Sequence, residues 1–399
     1  MTHQTQDAYI VAAVRSPIGR APRGSLRHRR PDDLLAEMLR AVLARAPGLD
    51  PAAIQDVIVG CAMPEGSQGM NVARIATLLA GLPQSVGGMT VNRFCASGLS
   101  AIAIAADRIR LGEADVLIAG GTESMSQNPP MGINPSFSPN IYTRDENLGI
   151  AFGMGLTAER VASQWQVSRE DQDAFALTSH QRALAAQQAG EFADEILPLD
   201  IVEKTPGSDD GISRETHRTL SLDEGPRADT SLEALARLRP VFAARGSVTA
   251  GNSSQTSDGA GALILASERA IKTHGLTPLA RYVTSTIRGV PPEIMGIGPK
   301  EAIPAALKLA GLKQDQLDWI ELNEAFAAQS LAVMRDLGLD PAKVNPMGGA
   351  IALGHPLGAT GAIRAATVIH ALQRHQLRYG MLTMCVGTGM GAAAIFERA

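Results

Sequence analysis

Three cysteines scattered over 399 residues are too few for a disulfide framework, which points to a reducing compartment. Aromatic residues make up only 4% of the chain, so bulky rings do not fill its interior. Abundant alanine and 40 glycines suit close helix-to-sheet contacts instead. Positive charge is not in surplus: the formal net charge is -4, which argues against nucleic acid as the main partner. No uninterrupted apolar run approaches the roughly 20 residues needed to span a bilayer. The N-terminus, MTHQTQDAYIVAAVRSP, has no charged stretch leading into a long apolar one, so no signal peptide is expected. Candidate metal ligands are separated by glycine loops rather than short zinc-type intervals, so no metal is expected either. The expectation is a soluble cytoplasmic protein.

What is present is ordinary globular material, 45% hydrophobic and 19% charged, long enough for two or three domain-sized units. Short apolar runs alternate with amphipathic helical patterns, the signature of an α/β architecture. AYIVAAV from Ala8 and QDVIVG from Gln55 read as buried strands, with PDDLLAEMLRAVLARA between them as a helix. NVARIATLLAG is a second helix stopping at Gly81, GMTVNRF a strand running into a helix near Cys95, and ADVLIAGG the next strand.

The second half repeats this plan. GLDPAAIQDVIVG resembles GLKQDQLDWIEL, and SGLSAIAIAADRIRLGEADVLIAGG resembles GATGAIRAATVIHALQRHQLRYGMLTMCVG, in the same order along the chain. Ordered similarity of this kind favours an internal duplication, with Cys95 and His355 at equivalent helix starts within a residue or so. Residues 122–248 interrupt the scheme. They hold SMSQNPPMGINPSFSPN, two helices (the second capped by Ser168) and the charged, turn-rich TPGSDDGISRETHRTLSLDEGPR. VTAGNSSQTSDGAGALILA then returns to strand character.

Three reactive side chains sit in glycine-rich stretches that a packing core would not select: Cys95 in VNRFCASGLSA, His355 in NPMGGAIALGHPLGATG and Cys385 in MCVGTGMG. Two thiols and an imidazole are the parts of covalent acyl transfer with proton shuttling. Glycine beside them lets backbone approach a substrate and offers N–H groups to an oxyanion. Cys95 lies where a helix N-terminus favours a thiolate. Cysteine is also a small buried hydrophobe, and that reading holds for Cys61 in VGCAMPEG, which has no partner motif. The basic run from Arg20 to Arg30 reads as a solvated loop, with a phosphorylated ligand or partner protein as the alternative.

Taken together, CASGLSA, TAGNSSQTSDGAGA, NEAFAAQ, GGAIALGHPLGATG and CVGTGMG resemble the thiolases, acetyl-CoA C-acyltransferases, in order and over essentially the whole chain. The resemblance implies duplicated βαβαβαββ halves in five α-β-α-β-α layers. It places an N-terminal core at 1–121 plus 249–272, an inserted loop domain at 122–248 and a C-terminal core at 273–399. Cys95 corresponds to the nucleophile, His355 to its base and Cys385 to the thiol that exchanges a proton with the acetyl α-carbon. Asn323 matches the residue that, with His355, builds one oxyanion hole through a water, and the N–H groups of Cys95 and Gly387 form the other. Arg227 and Ser254 fall at coenzyme A contacts, and Met154, Met295 and Phe326 at the pantetheine and acyl region. Coenzyme A is then a co-substrate rather than a resident cofactor, and a homodimer or homotetramer is implied, with a hydratase/dehydrogenase as a further possible partner.

Within the family, MGIGP, NSSQTSDGAGA and CVGTGMGAAAIFE look most like degradative 3-ketoacyl-CoA thiolases, and Gly153 stands where biosynthetic members tend to have histidine. The alternatives are a biosynthetic acetoacetyl-CoA acetyltransferase, a decarboxylating ketoacyl synthase and a non-catalytic acyl-CoA or lipid carrier. Cys385 with its glycine loop argues against the synthase, and the retention of both thiols with His355 against the carrier.

Overall fold

Strands that lack polar alternation must be covered on both faces, and the apolar runs of this chain become such strands. The computed structural model describes residues 5–206 and 213–399. The first half supplies β1 (Ala8–Arg15), the short β2 (Gly19–Arg20), β3 (Asp56–Gly60), β4 (Met89–Val91) and β5 (Val116–Ser124). A hairpin of β6 (Leu199–Pro206) and β7 (Ser213–Leu220) precedes β8 (Ser257–Ser267). The second half adds β9 (Ala280–Gly289), β10 (Trp319–Leu322), β11 (Tyr379–Val386) and β12 (Met390–Arg398).

Across the sheet the order is β10-β11-β12-β9-β1-β8-β5-β3-β4, with β2 on β8. This order reads as a palindrome about the β1–β9 junction. β8 runs antiparallel to β5 and β1, as β12 does to β11 and β9, while β3–β5 and β10–β11 are parallel. A single parallel bridge from Ile320 to Val344 stands in for the counterpart of β4. The duplication seen in sequence is therefore present in topology. The two half-sheets join through the pairs Tyr9–Arg281 and Ile10–Ala280, so they form one continuous sheet.

Alternation along each strand builds the layers. In β5, Val116 and Ile118 belong to the core that holds Leu35 and Leu39 of the helix Pro31–Ala44. Leu117 and Ala119 belong instead to the core shared by the helices Ser97–Arg110 and Thr360–Arg374. β11 divides likewise, Leu382 and Met384 toward that central core and Met381 toward Ile303 of the helix Gly298–Ala310. Helices, half-sheet, central helices, half-sheet and helices result, as the resemblance implies. Each fully buried aliphatic side chain contributes roughly 1.5–3 kcal/mol.

Small residues set how closely the central helices pack. A Cβ on Gly98 would lie 2.8 Å from Ala362 N and Gly358 O of the opposite helix start, and one on Gly361 would run into Leu99 N. Gly98→Ala is therefore expected to destabilise the fold by about 3 kcal/mol through overpacking against backbone. Urea unfolding reads this directly, and an unchanged midpoint would mean the two helices are free to separate.

The structure departs from the sequence expectation at three elements. β4 stops at Val91, so Asn92 and Arg93 already belong to the turn, and β5 continues past its glycines to Ser124. The charged segment expected to be turn-rich contributes β7 of the hairpin, with residues 207–212 outside the described range. Other local signals hold: Asn71 caps the helix Val72–Leu79, Gly81 follows it at φ 82°, and Ser168 Oγ accepts the Asp171 N–H at 3.1 Å. Among the described residues no helix is long and apolar enough to cross a membrane.

Candidate active site

The turn Phe94–Ala96 carries Cys95 just ahead of the central helix Ser97–Arg110. Short polar side chains hold it. Asn92 Oδ1 accepts the Phe94 N–H at 2.8 Å, and Ser97 Oγ accepts the Arg93 N–H at 2.8 Å while donating to Phe94 O at 2.7 Å. Phe94 sits at φ 45°, a left-handed conformation that costs a bulky residue on the order of 1–3 kcal/mol and persists only where the surroundings enforce it.

The Cys95 sulfur receives the N–H groups of Gly387 and of Cys95 itself, but burial outweighs them and pushes the thiol up to about 11. The helix start thus supplies donors as expected, yet the resting sulfur is a thiol rather than a thiolate. Desolvation of the charged form decides the outcome.

His355 occupies the turn before the other central helix, Thr360–Arg374, after Gly354 at φ 102°. Its backbone N–H donates to Ser257 Oγ at 3.1 Å, its Nδ1 lies 2.6 Å from Thr360 Oγ1, and its Nε2 lies 3.4 Å from Asn323 Nδ2. An amide N–H facing Nε2 leaves that nitrogen as an acceptor and gives the Nδ1 proton to Thr360. Burial, reinforced by the positive charge of Arg364, pulls the imidazole down to about 3, so it rests neutral. The helix starts CASG and GATG pair Cys95 with Gly358. His355 therefore corresponds to Asn92, three residues upstream, which corrects the expectation that it matches Cys95 within a residue or so.

Cys385 ends β11, fully buried, with Sγ 3.8 Å from Gln329 Oε1. Burial raises its thiol strongly, and neighbouring Cys95 adds to the rise. The following loop turns through Thr388 at φ 62° and Gly389 at φ 86°, and the Gly387 N–H just before them pulls the Cys95 thiol down against its burial. A Cβ on Gly387 would make ordinary contact with Met154 Sδ and the Phe94 ring, at 3.6 and 3.7 Å. The structure packs the Phe94–Ala96 turn against both β11 and the turn Leu357–Ala359, and the Asn323 N–H donates to Thr383 O of β11 at 2.9 Å. Residues distant in sequence thus meet where two strand ends face two helix starts.

Cys385 also shares an apolar cluster with Met295, Phe326 and Met154. Arg227 lines a neighbouring cleft of about 200 Å³ with Arg20, His180 and Gln255. The Arg227 guanidinium pairs with Asp229 at 3.3 Å, and the Arg227 backbone N–H donates to His180 Nδ1 at 3.2 Å. Burial, with Arg227 adding to it, lowers His180 to about 4, so this imidazole too is neutral. Ser254 is held by its N–H to Ala325 O at 2.9 Å, and its neighbours Ser253 and Gln255 line the cleft.

The basic run is not a free loop: Arg20 reaches the cleft, while Arg27, Arg29 and Arg30 pair with Glu203, Glu37 and Asp32. Cys61 is buried, with Sγ 4.0 Å from Glu123 Oε1. Sequence reasoning missed Ser257, Thr360 and Gln329, which orient His355 and face Cys385. Gln329 alone carried a readable signal, standing three residues after Phe326 at a helix start.

Comparison with known proteins agrees in extent and kind. The model of the thiolase N-terminal domain matches residues 8–269, and that of the thiolase C-terminal domain residues 276–398. A "3-ketoacyl-CoA thiolase" of Bacillus subtilis (strain 168) is 50% identical over 98% of this chain and 99% of its own. A "Beta-ketoadipyl-CoA thiolase" of Pseudomonas aeruginosa is 48% identical over 99% of this chain and 100% of its own. The solved structure of human mitochondrial 3-ketoacyl-CoA thiolase in complex with CoA superposes with a TM-score of 0.87 at 39% identity, covering 100% of both chains.

Proposed function

This chain belongs to the thiolase family, acyltransferases that use coenzyme A as co-substrate, and from that premise we propose that it is a 3-ketoacyl-CoA thiolase. The proposed reaction cleaves a 3-ketoacyl-CoA with coenzyme A into acetyl-CoA and a shortened acyl-CoA. One observation carries the reading: the fold packs the turn of Cys95 against both β11, which carries a second buried thiol, Cys385, and the turn that follows His355.

The raised Cys95 thiol and lowered His355 imidazole argue against a resting ion pair. The proton passes to His355 Nε2 as sulfur bonds to the C3 carbonyl carbon. The oxyanion formed is held by the new Nε2–H and a water on Asn323, whose buried Oδ1 has no protein partner among the described residues. Collapse of the oxyanion breaks C2–C3, leaving the acyl group on Cys95 and an acetyl-CoA enolate that takes its proton from Cys385. Coenzyme A then gives its thiol proton to the Cys385 thiolate and attacks the thioester. The N–H groups of Cys95 and Gly387 hold that second oxyanion. Release of the shortened acyl-CoA returns the His355 proton to the Cys95 sulfur.

Asn323→Ala should lower kcat by about 10²-fold, the loss typical of one oxyanion donor, with KM for the ketoacyl-CoA nearly constant. Wild-type kcat in this variant would remove Asn323 from the mechanism. Proposed contacts with coenzyme A run through Arg227 and Ser254, and Met154, Met295 and Phe326 line the path of the acyl and pantetheine groups. The β-ketoadipyl-CoA relative keeps a carboxylate-bearing acyl chain in view as the substrate. An assay of 3-ketoacyl-CoAs of graded length beside β-ketoadipyl-CoA tests the reading. Acetyl-CoA release beyond one equivalent, with a shortened acyl-CoA formed only when free coenzyme A is present, supports thiolysis, and absence of both products from every substrate refutes it.

A further inference from the structure

Among the buried carboxylates that the steps above leave unused, Glu123 is the one bonded to the turn that follows His355. Glu123, near the end of β5, is enclosed on all sides and accepts the N–H groups of Ala62 at 2.7 Å, Met63 at 3.2 Å and Gly358 at 2.8 Å, with Gln68 Nε2 as a fourth donor. Oε2 takes Ala62 and Gly358, and Oε1 takes Met63 and Gln68. A carboxylate in this setting is sited by its partners, because an unpaired buried oxygen is costly.

The partners come from both halves. Ala62 and Met63 follow β3, whereas Gly358 lies three residues beyond His355 in the turn that precedes the opposite central helix. The chain of contacts then continues. The carbonyl of Ala62 accepts from Asn92 Nδ2 at 2.9 Å, and Asn92 Oδ1 accepts the Phe94 N–H at 2.8 Å, next to Cys95. An unbroken series of hydrogen bonds therefore runs from the His355 turn through Gly358, Glu123, Ala62 and Asn92 to the Cys95 turn. Asn92 and His355 are themselves counterparts under the internal repeat, so the series crosses between related turns of the two halves.

We propose that Glu123 is a positioning residue for the Cys95–His355 pair: its carboxylate clasps the turn of one half to the turn of the other, fixing imidazole and sulfur in register. The role rests on the thiolase reading for its kinetic consequences, though not for its geometry. Burial pushes Glu123 up to about 7 against the pull of its N–H donors, and its negative charge in turn raises Cys61 and Cys95.

The test compares wild type with Glu123→Gln and Glu123→Asp in two assays: steady-state thiolysis, and alkylation of Cys95 by iodoacetamide across pH, with the site verified by peptide mapping. Glu123→Gln presents an amide NH2 to donors and breaks the clasp while removing the charge. Its kcat should fall by about 10²-fold, as for a misplaced catalytic pair, with KM changed less than about twofold. Its alkylation midpoint should move to lower pH, since the opposing charge is gone, giving a nucleophile that ionises more readily in a slower enzyme.

Glu123→Asp keeps the anion but withdraws it by one methylene, so kcat should drop while the midpoint stays at the wild-type pH. A folded Glu123→Gln protein with wild-type kcat overturns the proposal. So does a loss confined to thermal stability with the midpoint unmoved. Where Glu123→Gln does not fold, wild-type kcat in Glu123→Asp overturns it instead. Failure of wild type itself to cleave any 3-ketoacyl-CoA would sink the functional reading, and the alkylation midpoints would still show whether the Glu123 charge reaches the Cys95 sulfur.

Discussion

Cys95→Ser is expected to lower thiolysis by at least about 10⁴-fold, the scale at which loss of a covalent nucleophile is felt. The argument is one of proton affinity. The serine hydroxyl is far harder to ionise than a thiol, and the base available to it is an imidazole pulled down to about 3 by burial and Arg364. Such a base accepts a proton only in concert with bond formation, which a polarisable sulfur accomplishes and a hydroxyl does not. The Gly387 N–H and the Asn323–His355 pair remain, so the residual rate measures the binding site without its nucleophile. Acetyl-CoA release by Cys95→Ser above about one hundredth of the wild-type rate would place the covalent step elsewhere.

Cys385→Ala is expected to separate the half-reactions. Cys385 is fully buried and close enough to Cys95 to be raised by it, but no step assigns it the carbon–sulfur bond. Loss of a general acid costs about 10²–10⁴-fold in the step that uses it. Overall thiolysis should fall by that factor, because the enolate loses its proton donor. Transfer of a simple acyl group from an acyl-CoA to Cys95 should persist at a reduced rate, since it passes through no enolate but loses the proton that Cys385 gives the departing coenzyme A thiolate. Single-turnover labelling beside steady-state rates reads both. Near-normal thiolysis in Cys385→Ala would remove its assigned role, and loss of labelling together with turnover would show that it supports the nucleophile instead.

Much of this was legible because local chemistry and local pattern coincide at the strand and helix starts. The uninterrupted apolar run of β1 and the periodic helix after Pro31 follow from burial on two faces and on one. Cys95, His355 and Cys385 stood out because glycine surrounds them, and the structure sets them on adjoining turns and strand ends. What stayed hidden depends on partners far away in sequence. Glu123 reads as one more acid after a glycine pair, and its meaning appears only when Gly358 folds onto it from the other half. The hairpin β6–β7 was missed because its many charged residues obscure a short alternation confined to buried Leu199 and Ile201. The three-residue offset of His355 from the true counterpart of Cys95 was blurred because glycine crowds both helix starts.

The most direct measurement incubates the protein with a 3-ketoacyl-CoA in the absence of free coenzyme A, quenches, digests and weighs the peptides. The account predicts one equivalent of acetyl-CoA released and the shortened acyl group on the peptide containing Cys95, removable by neutral hydroxylamine. An acyl group found on Cys385 or Cys61 with Cys95 unlabelled, or acetyl-CoA formed with no adduct at all, would contradict it.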